Sequence, residues 1–505
     1  MRCYSSPMNP YDPALMPSVT ACEIARLSRD ARFDGVFFTA VLSTRIYCRP
    51  VCPARPPKAE NVVYYPSAAA AQALGFRPCL RCRPELAPGN PHWRQAEHWV
   101  SRALMLINQG YLTDHSLPAL AERLGMGSRQ LHRMFTRFLG ASPLAVHATQ
   151  RLLFAKQLLT ETRLSITDVA MAAGFGSVRR FNAAFAAANH AQPRAFRRSP
   201  KARADTALVL RLNYRPPYDF KAILGFLSTR ALPGIEAVGA DSYQRLFGAA
   251  GSPAWLRVSA WPGEQHALEL SLLNVPPGDM LEVVTRVRRM FDLDADPLAI
   301  AHTLGSSPVL APVIKRYPGL RLPGGWDGFE VAVRAVLGQQ VSVAAARTLA
   351  SRIVQRYGVP VDVSPGSGLD RLFPGAEQLA TADLGQLGIT QARINTIQGV
   401  ARALLDGRVD FALEQPLDHF IQRWVQLPGI GEWTAHYIAM RVLKHPDAFP
   451  AADLILRRAA NPEGPPLSPQ ALSALAEPWR PWRAYSVMYL WRAATDSVVA
   501  RKVST

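Results

Sequence analysis

Six cysteines lie at positions 3, 22, 48, 52, 79 and 82 of a 505-residue chain. Four of them make two close pairs, Cys48-x3-Cys52 and Cys79-x2-Cys82, separated by 26 residues. Two chelating pairs of thiolates suit a tetrahedral Zn2+ site, because zinc has no d-electron geometry to satisfy and accepts four sulfurs. Six cysteines are too few to staple a chain of this length, and their confinement to its first 82 residues points to reduced thiols and a metal. A zinc-bound sulfur stays ionised near neutrality, and the thiolate is the nucleophile. The cluster can therefore be structural or can itself react. Cys3 and Cys22 have no partner spacing and receive no role.

A second place for chemistry is Leu427-Pro428-Gly429-Ile430-Gly431-Glu432-Trp433-Thr434-Ala435. This is the pattern of a helix-hairpin-helix, in which Gly429 and Gly431 let backbone N–H groups reach a DNA phosphate ahead of a helix start. Alone it means DNA binding without sequence preference. Asp453 follows 22 residues after Gly431; an isolated Asp is more often a helix cap or a surface charge than a catalyst.

The third place is basic. Lys+Arg is 57 against Asp+Glu 38, a net +19, and residues 1–200 carry +14 of it, nearly all as arginine. That asymmetry attracts polyanions, and arginine's fork suits phosphate and guanine. Within this region Leu117, Leu120, Ala121 and Leu124 precede Gly125-Met126-Gly127-Ser128, with Leu131 and Phe135 beyond. The same grammar returns at Ile166, Val169, Ala170, Gly174-Phe175-Gly176-Ser177, Phe181 and Phe185. Two short helices joined at a glycine turn make a helix-turn-helix. Each second helix is predicted to start at a serine N-cap, Ser128 or Ser177. The first unit then presents Arg129, Gln130 and Arg133, and the second Arg179, Arg180 and Asn182. These side chains can pair with guanine and adenine edges. Sequence-specific binding of double-stranded DNA is expected; the alternative is a helical bundle with a basic surface.

The elements that must position these groups give a multidomain chain, mainly α with α+β parts. A four-cysteine zinc domain is expected over 1–92, ending at Pro88-Gly89-Asn90-Pro91, and a double helix-turn-helix domain over 93–200. A basic link spans residues 197–205. A small antiparallel α+β domain follows over 207–280, with strand-like alternation from Leu208 to about Asn274 and a helix near 220–228. An all-α helix-hairpin-helix domain completes the chain over 281–505.

Residues around these motifs resemble known families. Phe33-Asp34-Gly35, Phe37-Phe38-Thr39-Ala40-Val41, Ile46-Tyr47-Cys48-Arg49-Pro50, Glu60-Asn61-Val62 and Gly75-Phe76-Arg77-Pro78-Cys79 look like the N-terminal domain of Ada-type adaptive-response proteins over about residues 20–87. The resemblance implies that Cys48 is nucleophile as well as ligand, taking a methyl group irreversibly from a DNA methylphosphotriester, while Cys52, Cys79 and Cys82 hold the metal. Four thiolates on Zn2+ carry about −2, and methylating one lowers this to about −1, weakening repulsion of DNA phosphate. Arg49, Arg55, Arg77 and Arg81 are candidate phosphate contacts. Gly174-Phe175, Phe181 and Pro193-x2-Phe196-Arg197 resemble AraC-type DNA-binding domains over about 98–199. The usual Ada methyltransferase half has no counterpart here: no Pro-Cys-His-Arg run occurs and no cysteine follows position 82, so O6-methylguanine repair is not expected.

Tyr214-x-Pro216-Pro217-Tyr218-Asp219, the stretch Phe329 to Gln339, the hairpin, and Pro481-Trp482-Arg483-x-Tyr485 resemble AlkA-type 3-methyladenine DNA glycosylases over about 207–494. By that resemblance Asp453 is the catalytic carboxylate and Trp433, Tyr437 and Trp491 line the base pocket. Gln340 stands where the family wedges the duplex, and the hairpin carbonyls near Val425, Leu427 and Ile430 would take a monovalent cation. A ring-methylated base is cationic, stacks well on Trp and Tyr, and leaves easily. Flipping it out and stabilising an oxocarbenium-like sugar then needs one buried carboxylate. Trp433 stands where related lyases carry lysine, so a monofunctional glycosylase is expected.

The resulting expectation is an enzyme that removes alkylated bases, fused to a methyl-sensing transcriptional activator that meets RNA polymerase, acting as a monomer on alkylated and promoter DNA. The alternative is a transcription regulator with a structural zinc site whose C-terminal half only clamps DNA. No uncharged apolar run approaches the ~18 residues of a membrane span. The N-terminus lacks a secretory apolar core, so a bacterial cytoplasmic protein is expected.

Overall fold

The computed structural model describes residues 11–12, 16–89, 98–197, 207–363 and 368–503. Cys3, most of the basic link at 197–205 and the end of the expected boundary at Asn90-Pro91 lie outside them. The chain divides into two compact bodies: residues 1–216 with 261–271 and 275–286, and residues 217–260 with 272–274 and 287–505.

In the first body a four-stranded sheet runs in the order Val62–Tyr65, Phe38–Val41, Ile46–Cys48, Arg77–Pro78. Phe38–Val41 pairs antiparallel with both neighbours, and Thr39 faces Cys48. Ile46–Cys48 lies parallel to Arg77–Pro78, and the Cys79 N–H donates to the Tyr47 carbonyl at 3.0 Å. That register brings Cys48 and Cys79, the first cysteine of each pair, to the same end of the two strands. Aromatic packing fixes it: Phe38 and Tyr47 meet edge to face at 5.9 Å.

The two predicted helix-turn-helix units form, as Leu117–Arg123 with Ser128–Leu139 and Ile166–Ala172 with Val178–Asn189. Gly125 (φ +72°) and Gly174 (φ +74°) make the left-handed turns that only glycine adopts cheaply. The 19-residue helix Pro143–Glu161 joins the units. The serine caps divide. Ser177 caps its helix by accepting from the Arg180 N–H at 3.2 Å, but Gly127 takes the extended N-cap backbone of the other, so that helix starts one residue early. Ser128 is already its first helical residue and does not cap it.

In the second body Glu236–Val238, Ser242–Ala249 and Ser252–Ala260 form an antiparallel meander. The helix Phe220–Ser228 sits where expected, capped by Asp219. Strands Leu208–Asn213 and, as far as residue 271, Ala267–Leu273 fall in the first body and match the alternation. Helices dominate from Met280 onward, with one unexpected hairpin, Val359–Pro360 against Arg371–Leu372, whose two-residue strands are too short to show a period. The helix Gly328–Leu337 runs through the core and is apolar around most of its girth, apart from Glu330 and Arg334. Trp424, Trp479, Trp482 and Tyr485 fill the space around the hairpin helices.

Candidate cysteine centre, DNA-reading helices and base cleft

The four paired sulfurs converge: the ligand atoms of Cys48, Cys52, Cys79 and Cys82 all lie within 4.8 Å of one another. None is in a disulfide. Backbone N–H groups of Arg49 and Arg81 point at the sulfurs of Cys82 (3.3 Å) and Cys79 (3.4 Å), a setting that favours thiolate. Left as thiols, the four would compete for protons. The contact with Cys48 lowers Cys52 to about 7 and Cys79 further, while the hydrogen bond to Cys52 raises Cys48 and burial raises Cys82. Four sulfur donors in one tight group fit a tetrahedral thiophilic cation, which would let all of them ionise. Cys79 and Cys82 are buried, whereas Cys48 and Cys52 are half-buried and open toward solvent.

Arg49 is not free to meet phosphate. It is 5% exposed, paired with Asp34 through Nε at 2.8 Å and a second contact, and its Nη1 donates to the Cys82 carbonyl at 3.0 Å. Its charge is committed to holding the cysteine loop. Arg55 and Arg81 are exposed and Arg77 is half-buried. Arg129, Gln130, Arg133, Arg179 and Arg180 are all exposed on the second helices of their units, and Asn182 is partly so.

In the second body the helix Leu417–Trp424 turns through the glycines into Glu432–Ile438, which continues as a π turn over Ala439–Leu443. Gly429 sits at φ +85°, where an added Cβ would come within 2.0 Å of Thr396 Oγ1. Gly431 is ordinary extended backbone with open space around it. Gly429→Ala is therefore expected to cost at least about 2 kcal/mol and to weaken DNA binding. Gly431→Ala should leave folding nearly unchanged; unfolding curves and duplex affinity of the two variants check this. Gln339 Nε2 ties the hairpin to the neighbouring loop, donating to the Gly429 carbonyl (2.9 Å) and Thr434 Oγ1 (3.0 Å). Gln340 follows at φ +55° and is exposed, with Val341 and Val343 exposed beyond it. In the hairpin turn the Leu427 carbonyl accepts the Ile430 N–H at 3.0 Å, with Val425 just before.

Asp453 is both a cap and a cleft residue. Its Oδ1 accepts the N–H groups of Ile455 (2.9 Å) and Leu456 (3.0 Å), capping Leu454–Ala459, and its Oδ2 accepts the indole N–H of Trp433 at 3.0 Å. Trp433 stacks on Tyr437 at 5.4 Å and 15°, and Trp491 stands 6.5 Å from Tyr437. All four line one cleft of about 2020 Å³. The sequence thus names residues that the fold brings together, although they lie up to 58 positions apart.

The cleft also holds groups that motif reading did not name. Arg230 and Arg441 lie over the Phe226 ring at 3.7 and 4.6 Å, and Arg441 Nη1 donates to the Tyr437 hydroxyl at 3.0 Å. Burial alone would raise the Tyr437 hydroxyl, but Arg441, Arg230 and Arg334 outweigh it and hold it below the usual tyrosine value. Beneath them Arg245 and Arg334 clamp Glu236 and Glu330, with Arg334–Glu330 at 2.7 Å and Tyr243–Glu236 at 2.6 Å. The i,i+4 spacings Phe226/Arg230 and Tyr437/Arg441 were the available sequence signal. Thr229, Val343 and Arg347 line both this cleft and a second groove of about 650 Å³ whose lining has no acidic side chain.

Comparison with known proteins joins these parts. Residues 21–85 match the metal binding domain of Ada, 120–199 a helix-turn-helix domain, 209–327 the AlkA N-terminal domain, and 333–479 the HhH-GPD superfamily of base excision DNA repair proteins. The chain is 43% identical over 478 residues to a Mycobacterium tuberculosis protein named "probable bifunctional transcriptional activator/DNA repair enzyme AlkA", covering 93% of this chain and 95% of that one. It belongs to the family of AlkA-type bifunctional transcriptional activator/DNA repair enzymes. Its two parts also match proteins that stand alone. DNA-3-methyladenine glycosylase 2 of Escherichia coli is 35% identical over 284 residues, 55% of this chain and 95% of that one. The bifunctional transcriptional activator/DNA repair enzyme Ada of the same species is 38% identical over 149 residues, 30% of this chain and 40% of that one. The second part shares the fold of a 3-methyladenine DNA glycosylase from Archaeoglobus fulgidus, with a TM-score of 0.50 at 21% identity over 56% of this chain and 98% of that one. This AlkA-type bifunctional chain thus carries a zinc-binding cysteine domain, a DNA-binding helix-turn-helix domain and a glycosylase fold. No described helix is long and apolar enough to cross a membrane.

Proposed function

We propose that the second part is a DNA-3-methyladenine glycosylase that removes alkylated bases with Asp453, and that the first part is a regulator whose Cys48 accepts a methyl group from a DNA methylphosphotriester. The glycosylase reading rests above all on the Asp453 carboxylate, aimed by Trp433 and two backbone N–H groups into a cleft floored by stacked aromatics. A flipped base would stack against Trp433, Tyr437 and Trp491. As the N-glycosidic bond breaks, its electron pair leaves with the base. The fixed negative charge of Asp453 then stabilises the oxocarbenium-like sugar, and water completes hydrolysis. Gln340 and the exposed valines beside it face the duplex, and the acid-free groove carries the flanking strand. The hairpin N–H groups meet phosphate, and the carbonyls of Val425, Leu427 and Ile430 hold a monovalent cation.

Arg230 and Arg441 place positive charge beside the aromatic stack. They favour a base with a carbonyl edge, such as hypoxanthine, as well as tolerating cationic bases balanced by Asp453. Assays of base release from DNA containing 3-methyladenine, 7-methylguanine or hypoxanthine test the assignment. Release of at least one of them is expected, and release of none would overturn it.

In the first part Zn2+, when bound, keeps the four sulfurs ionised at neutral pH. Cys48 is one of the two half-buried cysteines of the cluster, and its attack on the methyl carbon leaves the C–O electron pair on the phosphate oxygen. Loss of one negative charge at the site would strengthen DNA binding by the exposed arginines of both helix-turn-helix units and engage RNA polymerase.

A further inference from the structure

Resting on the reading of Cys48 as methyl acceptor, we propose that Lys156 is a positioning residue that carries the state of the cysteine site to the second helix-turn-helix unit. Lys156 lies on the joining helix Pro143–Glu161 and is 1% exposed, an unusual burial for an ammonium. Its Nζ contacts Glu85 Oε2 at 2.9 Å and the Cys79 carbonyl at 3.4 Å. Glu85 in turn accepts from Arg83 Nε at 3.1 Å, and Arg83 reaches Thr160 Oγ1 (2.6 Å) and Glu161 (3.0 Å) on the same helix. The loop Cys79-x2-Cys82 is thereby held between two buried cations, Lys156 on the carbonyl of Cys79 and Arg49 on that of Cys82.

The far end of this connection is equally specific. Five residues before Lys156, Arg151 Nε donates to the Ala173 carbonyl at 2.7 Å, a second N–H reaches the Gly174 carbonyl, and the guanidinium covers the Phe175 ring at 3.9 Å. Ala173, Gly174 and Phe175 form the turn that aims the second recognition helix. One stiff helix therefore touches a metal-ligand carbonyl and that turn. Removing a negative charge from the sulfur cluster weakens its pull on the buried ammonium, whose other neighbours are Glu85, the Cys79 carbonyl and the Phe196 ring at 6.0 Å. The helix is then free to reseat, and the turn moves with it.

The test uses the full-length zinc-loaded protein, methylated either with methylphosphotriester DNA or with methyl iodide, with the modified residue located by peptide mass. Hydrogen exchange of segment 151–176 is expected to change on Cys48 methylation in the wild type. Lys156→Met, which keeps the stem and removes the charge, should abolish that change. Thr149→Val, which removes a separate tie to Gln72, should preserve it. For a duplex selected from a random pool, the wild-type affinity gain on methylation of about tenfold or more should fall below about threefold in Lys156→Met. Unchanged exchange over 151–176 in methylated wild type overturns the proposal even if the variant fails to fold. So does equal loss of coupling in Thr149→Val. A methyl taken from methyl iodide but not from DNA, with coupling intact, would reject the Cys48 reading and leave the coupling standing.

Discussion

Asp453→Asn is expected to lower base release from alkylated DNA on the order of 10³-fold while leaving the fold in place. Asparagine is as good an N-cap as aspartate, so its Oδ1 can keep the hydrogen bonds from Ile455 and Leu456. What disappears is the charge, and with it the acceptor for the Trp433 indole N–H if the amide nitrogen occupies the Oδ2 position. A helix-capping role alone would leave the rate nearly unchanged, because the cap survives. Single-turnover kinetics with saturating enzyme separate this from weakened binding. Duplex affinity should hold within a few-fold, and wild-type turnover in Asp453→Asn would assign the carboxylate to structure alone.

The second large effect is all-or-none. Cys48→Ser should abolish methyl uptake from methylphosphotriester DNA, read by intact mass, because an alcohol in this setting is neither ionised nor comparably nucleophilic. The other half-buried sulfur, Cys52, provides the control: Cys52→Ser should weaken metal retention and yet leave Cys48 as the residue that gains mass. If the methyl appeared on Cys52 in the wild type, the roles of the two would be exchanged. Base release by the second body should be the same in both variants, since none of its cleft residues comes from the cysteine domain.

The cysteine cluster and the turn glycines are legible because each belongs to a local pattern. Cys48, Cys52, Cys79 and Cys82 announce a metal site by spacing, and the fold needs only one strand register to unite the pairs. The turn glycines, Gly125, Gly174 and Gly429, mark places where a Cβ is excluded by backbone conformation, and all three have positive φ. The burial of Arg49 is not legible because sequence reports charge and not burial; its partner Asp34 lies 15 residues earlier, in a separate stretch of the same domain. The Lys156–Glu85 contact spans 71 residues, and Arg245–Glu330 and Arg334–Glu236 span 85 and 98. Pairings at such distances are set by tertiary packing, which no periodicity encodes. Asp453 shows a different limit. Cap and cleft carboxylate looked like competing readings, yet one side chain with two oxygens can do both.

The helix that joins the two DNA-reading units has an evolutionary corollary. Lys156, Thr160 and Glu161 are committed to partners around Arg83 and Glu85. A lineage that exchanged this reader for another by recombination near residue 92 would inherit an orphaned buried acid on one side of the joint and mismatched charges on the other. Motif modules can be shuffled on paper, but here the cysteine domain and the helix-turn-helix domain have to be inherited together.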